Sequence, residues 1–183
     1  MKTDPATMQE ILGTVPKLRA FAISLSGNVD RADDLVQETL MRAIASIDSF
    51  QPGTNMQAWL FTILRNRFRS EYRKRRREVE DADGSYVGSL VAQPEQSGKL
   101  EFKELRTALE KLPSDQREAL ILVGASGFSY EEAAAICGCA VGTIKSRVNR
   151  ARTRLAQELN IDNAEDFGPD RNTRAVMAAS DRR

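Results

Sequence analysis

Apolar residues recur at helical spacing in two stretches of this chain, and a polar stretch without any sustained period lies between them. In the first, Leu18, Phe21, Ala22 and Leu25 share one face of a helix, and Gly27 is a natural stop. Asp30 is expected to cap the next helix, with Asp33 and Asp34 in its first turn, where negative charge is favoured. Ala32, Val36, Leu40, Ala43, Ile44 and Ile47 would form the apolar face of that helix before Phe50-Gln51-Pro52-Gly53 breaks the pattern. A third helix is expected from Thr54-Asn55-Met56-Gln57, whose Thr…Gln spacing fits a capping box; Leu60, Ile63, Leu64 and Phe68 continue its face.

Residues 78–98 change character: Gly84, Ser85, Gly88, Ser89, Pro94, Ser97 and Gly98 punctuate them, and large apolar groups are few. This composition predicts a linker. Fully extended, it would reach roughly 70 Å, on the order of 20 base pairs of DNA at about 3.4 Å each. The second cluster starts near Leu100 and supplies Leu105, Leu109 and Leu112 before Pro113 ends a helix. Another helix from Ser114-Asp115 would carry Ala119, Leu120, Leu122 and Val123 as far as Gly127. Beyond Asn160 the chain turns polar and irregular, apart from a weak Ala175–Ala179 stretch.

Charge changes the picture more than composition does. The formal net charge is only +1, yet residues 65–77 hold eight Lys/Arg against one acid, and residues 143–154 hold five against none. Residues 78–104 carry seven acids and two lysines. Basic blocks flanking an acidic connector predict surfaces for a polyanion. The longest apolar run, Ala119 to Ala125, is too short to span a bilayer, and Met1-Lys2-Thr3-Asp4-Pro5 lacks the regions of a signal peptide, so the expected location is cytoplasmic. There is no histidine, and the two cysteines, Cys137 and Cys139, cannot complete a zinc site. No phosphate-cradling loop or carboxylate pair replaces the missing general base. The chain is therefore expected to be no enzyme and to hold no cofactor, metal or small-molecule substrate. Cys137 and Cys139 are expected to pack as small hydrophobes.

Ser129-Tyr130-Glu131-Glu132 reads as a capping box, Ala133, Ala134 and Ala135 keep the following helix thin, and Gly138 ends it. After Cys139-Ala140, Val141, Ile144 and Val148 would face inward. Thr143, Lys145, Ser146, Arg147, Asn149, Arg150, Arg152 and Arg154 would spread over the outside. That is the layout of a helix-turn-helix whose second helix enters the major groove. Arg and Lys read guanine edges there, Asn reads adenine, and Thr or Ser bonds bases or phosphates. A merely solvated basic face is the plain alternative; the box, the thin helix, the glycine turn and the absence of acids together favour DNA.

The stretch Arg65 to Arg77 is basic and interleaved with Phe68 and Tyr72. Its arginines would anchor backbone phosphate, while Asn66, Ser70 and Tyr72 could meet bases or sugars. Polar and aromatic groups beside cations also suit a separated single strand. For Trp59 core packing is the expectation, and Arg73 to Arg77 read equally well as a non-specific phosphate clamp.

These residues resemble a known family. Asp33-Asp34-Leu35-Val36-Gln37-Glu38-Thr39 and Ala58-Trp59-Leu60-Phe61-Thr62-Ile63 are similar to the σ2 domain of extracytoplasmic-function sigma factors. Leu112-Pro113, Gln116-Arg117-Glu118-Ala119, Gly127-Phe128-Ser129-Tyr130-Glu131-Glu132-Ala133-Ala134 and Gly142-Thr143-Ile144-Lys145-Ser146-Arg147 are similar to their σ4 domain. The matches run in order over about residues 10–159. The resemblance implies an all-α fold of two small helical domains joined by a flexible linker. A σ2-like domain would occupy 1–77, the linker 78–98 and a σ4-like domain 99–160, with the helix-turn-helix at 129–155 and a polar tail at 161–183.

The resemblance also implies a task for each surface. Asp33, Asp34, Leu35, Gln37 and Glu38 would hold the β′ clamp of core RNA polymerase, and helices 105–123 would meet the β flap. The loop Ser49–Asn55 and helix 56–77 would read and open the −10 promoter element, with Asn55, Arg65, Asn66, Arg69, Tyr72 and Arg73 as the contacts. Thr143, Lys145, Ser146, Arg147, Asn149 and Arg150 would read the −35 element. Pro52 to Asn66 and Ser70 to Arg77 resemble the general-stress, EcfG-like subgroup of alphaproteobacteria, which is held by a NepR-type anti-sigma factor and released by a PhyR-type mimic. One departure is Ala140, where many relatives carry a capping Ser; an Ala cap costs about 1 kcal/mol. Two other readings remain open: a sigma-like decoy that titrates an anti-sigma factor, and an ordinary helix-turn-helix regulator.

Overall fold

The computed structural model describes residues 4–80 and 100–160, and among these every regular element is helical. Helix α1 (Pro5–Ser26) opens on a proline, tolerated where an N–H has no partner anyway, and closes at Gly27. Gly27 adopts the left-handed conformation (φ 67°) and its N–H donates to the Ile23 carbonyl at 2.8 Å. Helix α2 (Val29–Ala45) is capped by Asn28, whose Oδ1 accepts the Arg31 N–H at 2.8 Å; Asp30, the expected cap, lies in the first turn instead. A single 3₁₀ turn (Ile47–Ser49) leads to α3 (Met56–Glu80). The α3 cap is Asn55, which accepts the Ala58 N–H at 3.1 Å, whereas the Thr54 hydroxyl turns back to the Gln51 carbonyl.

Helix α4 (Leu100–Glu110) and α5 (Ser114–Leu120) are separated by Pro113. The expected continuous helix to Gly127 instead widens into a π turn at Ile121–Ala125, where the Ser126 N–H reaches five residues back to the Ile121 carbonyl at 2.8 Å. Helices α6 (Tyr130–Cys137) and α7 (Val141–Glu158) complete the chain. The α3 helix runs past residue 77; the rest of the expected linker and the tail from 161 onward lie outside the described residues.

Helices α1, α2 and α3 pack on one another, and α5, α6 and α7 lie against them through α1–α5 and α3–α6 contacts. Their buried residues form one continuous apolar core, not one per half. Its centre is aromatic: Phe61 stacks on Phe21 with centroids 4.9 Å apart, and Phe128 makes an edge-on contact with Phe61, also at 4.9 Å. Each fully buried side chain of this size contributes about 1.5–3 kcal/mol, so the second half is fastened by substantial apolar burial. A smaller core of Ala108, Leu112, Ala151 and Leu155 joins α4 to α7. No described helix is long and apolar enough to cross a membrane.

Candidate nucleic-acid interface

The helix-turn-helix forms as its local signals dictate. Ser129 Oγ accepts the Glu132 N–H at 3.1 Å, and Glu132 Oε2 accepts the Ser129 N–H at 2.9 Å, closing the reciprocal box. The Ser129 N–H chiefly holds the Glu132 carboxyl below its ordinary range; desolvation opposes it, and the Asn55 side chain adds a smaller lowering. Ala133 and Ala134 are buried beneath the crossing helix, while Ala135 faces out. Gly138 adopts a left-handed φ of 62°, a conformation costly to any residue carrying a Cβ. Ile144, Val148, Ala151 and Leu155 then bury one face of α7, and Val141 is half-buried.

On the other face Lys145, Asn149, Arg150 and Arg154 are exposed, and Thr143 and Ser146 partly so. Arg150 Nη2 donates to Ser146 Oγ at 3.0 Å, and Lys145 Nζ lies 5.8 Å from the centroid of the Tyr130 ring. Arg147 is different: its Nε meets Asp115 Oδ2 on α5 at 3.1 Å, and its side chain is only 21% exposed. Half-buried Arg152 also contributes less to the surface than its spacing suggests.

On α3 the expected contacts divide in two. Asn66, Tyr72 and Arg73 are exposed, and Tyr72 stacks against Phe68 with centroids 6.4 Å apart. Arg65 is not on the surface. It is 5% exposed and its Nε donates to Glu118 Oε1 of α5, brought in from the second half of the chain, at 2.5 Å. Arg69 Nη2 reaches the other oxygen of the same carboxylate at 3.2 Å. Asn55, besides capping α3, donates through Nδ2 to Glu132 Oε1 at 2.6 Å.

Between the end of α2 and α3 lies an open groove of about 580 Å³. Sequence spacing pointed to Asn66, Ser70 and Arg73 on its wall but missed Arg42, Ser46 and Ile63, which help to complete it. Arg42 and Ser46 come from a different helix, so only tertiary packing brings them to α3. Arg67, also on this wall, is held by Glu38 and by Glu71 at 3.1 Å; the Glu38 hydrogen bond chiefly keeps its guanidinium charged.

The five α2 residues expected to hold polymerase do not share one face. Asp34 and Gln37 point outward. Asp33 accepts two hydrogen bonds from Arg19 on α1, at 2.6 and 3.2 Å, which hold its carboxyl below the usual range. Glu38 is paired with Arg67, and Leu35 is 2% exposed, part of the core. Ala32, Val36 and Ala43 of the expected α2 stripe are buried, and Leu40 and Ile47 pack against the core; Leu35 joins them, whereas Ile44 is 43% exposed. Burial pushes the Cys137 thiol up to about 12, with the Glu118 charge adding to it, so Cys137 packs as a hydrophobe. Among the described residues no group of side chains could hold a metal ion.

Residues 13–78 match the Sigma-70 region 2 family and residues 102–155 match Sigma-70, region 4. The chain is 75% identical over 171 residues to the ECF RNA polymerase sigma factor EcfG of Rhodopseudomonas palustris, covering 93% of this chain and 94% of that protein. Among solved structures it resembles the sigma factor RpoE in complex with the anti-sigma factor NepR from Bartonella quintana. The TM-score is 0.78 at 60% identity, over 85% of this chain and 98% of that one. It also resembles CnrH in complex with the cytosolic domain of CnrY, with a TM-score of 0.65 at 29% identity, over 86% and 90% of the two chains.

Proposed function

The chain belongs to the extracytoplasmic-function RNA polymerase sigma factors, and from that premise we propose how its surfaces divide the work of promoter recognition. It is a transcription initiation factor and not an enzyme. Helix α7 reads the −35 element in the major groove through Thr143, Lys145, Ser146, Arg147, Asn149 and Arg150. The groove between α2 and α3, with Asn66 and Arg73 on its wall and Tyr72 further along α3, takes the opened strand of the −10 element. Its mix of guanidinium, amide and hydroxyl groups suits a base and its phosphate. Asn55, Arg65 and Arg69 join that surface once Glu118 and Glu132 withdraw. On α2, Asp34 and Gln37 meet the polymerase clamp directly, and Asp33 and Glu38 do so at the margin of their own ion pairs.

The observation that carries this reading is the outward face of α7, which from residue 143 to 154 holds cations and Asn149 but no acid and follows the boxed, glycine-ended α6 of a helix-turn-helix. The two reading surfaces serve separate promoter elements, so the residues 1–77 and 99–160 act as two domains that part on promoter DNA, tied by the segment between them. Each contact alone is weak; polymerase fixes both and makes the second effectively intramolecular. By its likeness to the RpoE that was solved with NepR, this chain is held by an anti-sigma factor of NepR type.

The test is transcription in vitro with core RNA polymerase on a mixed promoter library. Discrete starts sharing two upstream elements are expected. No starts, from a core shown active with another sigma factor, would favour a decoy that only titrates the inhibitor.

A further inference from the structure

Among the described residues of α7 assigned above to the −35 element, Arg147 is the one tied to a carboxylate: its Nε lies 3.1 Å from Asp115 Oδ2 of α5. Its Nη1 also makes a long contact, 3.9 Å, to Cys139 Sγ in the turn before α7. Lys145, Asn149 and Arg150 stand in the open, whereas Arg147 sits at the margin of the buried face, beside Val148. We infer that Asp115 is a positioning residue for promoter reading: it aims the Arg147 guanidinium and thereby sets base preference at one position of the −35 element. The inference rests on the reading of α7 as the −35 helix.

The chemistry of the guanidinium fits that role. It carries five N–H groups in one plane, and a guanine edge is read by two of them in parallel. With Nε turned to Asp115, the fork that remains is the pair of terminal nitrogens, Nη1 and Nη2. Each carries two hydrogens, so the weak sulfur contact still leaves one N–H on Nη1 for a base. The plane of that fork follows the carboxylate, because Nε and both terminal nitrogens are coplanar. An arginine held this way loses less side-chain freedom on binding, and a wrong base meets donors that cannot easily swing aside. Stability is not what the pair supplies: the Asp115 side chain is 41% exposed, and ion pairs this open add little. Both residues belong to the second half, so the pair persists whether the halves are docked or parted.

The experiment is transcription by the full chain with core RNA polymerase from a library randomised across the −35 element, with base preference read at each position. D115N is expected to weaken preference at one base pair by about fivefold, the lower end of what a bidentate contact confers, and to leave the other positions and the melting temperature unchanged. R147K keeps the charge but not the fork. It should weaken the same position, and D115N should weaken it no further in that background. A folded D115N with the wild-type profile overturns the inference. So does an equal loss at every position, which marks a role in the fold or on phosphate, and so does an R147K profile identical to wild type. If D115N does not fold, D115A, a good helix residue at the same open position, is read by the same criteria. A wild-type factor without any −35 preference sinks the functional reading and the inference with it. A clear wild-type preference that D115N leaves intact sinks only the positioning role.

Discussion

Glu132 illustrates how much one side chain can carry. Its Oε2 caps α6 through the Ser129 N–H, and its Oε1 takes the Asn55 amide from α3, so the same carboxylate ends one helix and ties two. Because folding lowers its pKa, the contribution is fully present above the unfolded value of about 4.5 and is lost as pH falls through the lower folded value. Thermal melts of wild type and E132Q between pH 6 and pH 3 should therefore differ most at the upper end and converge at the lower. Parallel curves would show that the carboxylate's charge is irrelevant there. Arg117 on α5 is the opposite case: it is 7% exposed, its Nε has no acceptor, and desolvation depresses its pKa.

Among the elements, α7 begins without a side-chain cap. Ala140 occupies the cap position with extended backbone (φ −68°, ψ 148°), a geometry a serine would adopt without strain. Ala140→Ser should stabilise the chain by about 1 kcal/mol, read as a higher urea midpoint with an unchanged slope. The deficit was legible in the sequence, as was the whole helix-turn-helix, because its signals are local: a Ser–Glu box, a glycine, an apolar period. Cap positions were less legible. Asn28 and Asn55 displaced Asp30 and Thr54 because the direction of the entering chain decides between neighbouring polar residues. The phase of α2, with Leu35 in and Ile44 out, depended on where α1 and α3 lie against it. The π turn after α5 leaves no mark in composition. The candidate site divides the same way: Lys145 and Asn149 follow from helical spacing, whereas the burial of Arg65 depends on Glu118, 53 positions away.

At the scale of the whole molecule the two halves are docked, and the docking is both apolar and polar: Phe61 against Phe128, Gln57 Nε2 to the Ser126 carbonyl at 3.3 Å, Asn55 to Glu132. On the proposed reading, in which the halves part on promoter DNA, promoter binding breaks these contacts. Phe61 has a consequence of another kind, since one ring completes the interior of both halves. Heated without a partner, the chain should absorb heat in a single cooperative endotherm whose van't Hoff and calorimetric enthalpies agree. Phe128→Ala, a truncation of the kind that costs about 3–5 kcal/mol, should split that peak, the later-melting unit being the one that keeps Phe21 stacked on Phe61. Two peaks already present in the wild type would mean that the ring is shared in space but not in energy. A calorimeter, with neither DNA nor polymerase in the cell, thus reads how strongly the protein's two ends are bound to act together.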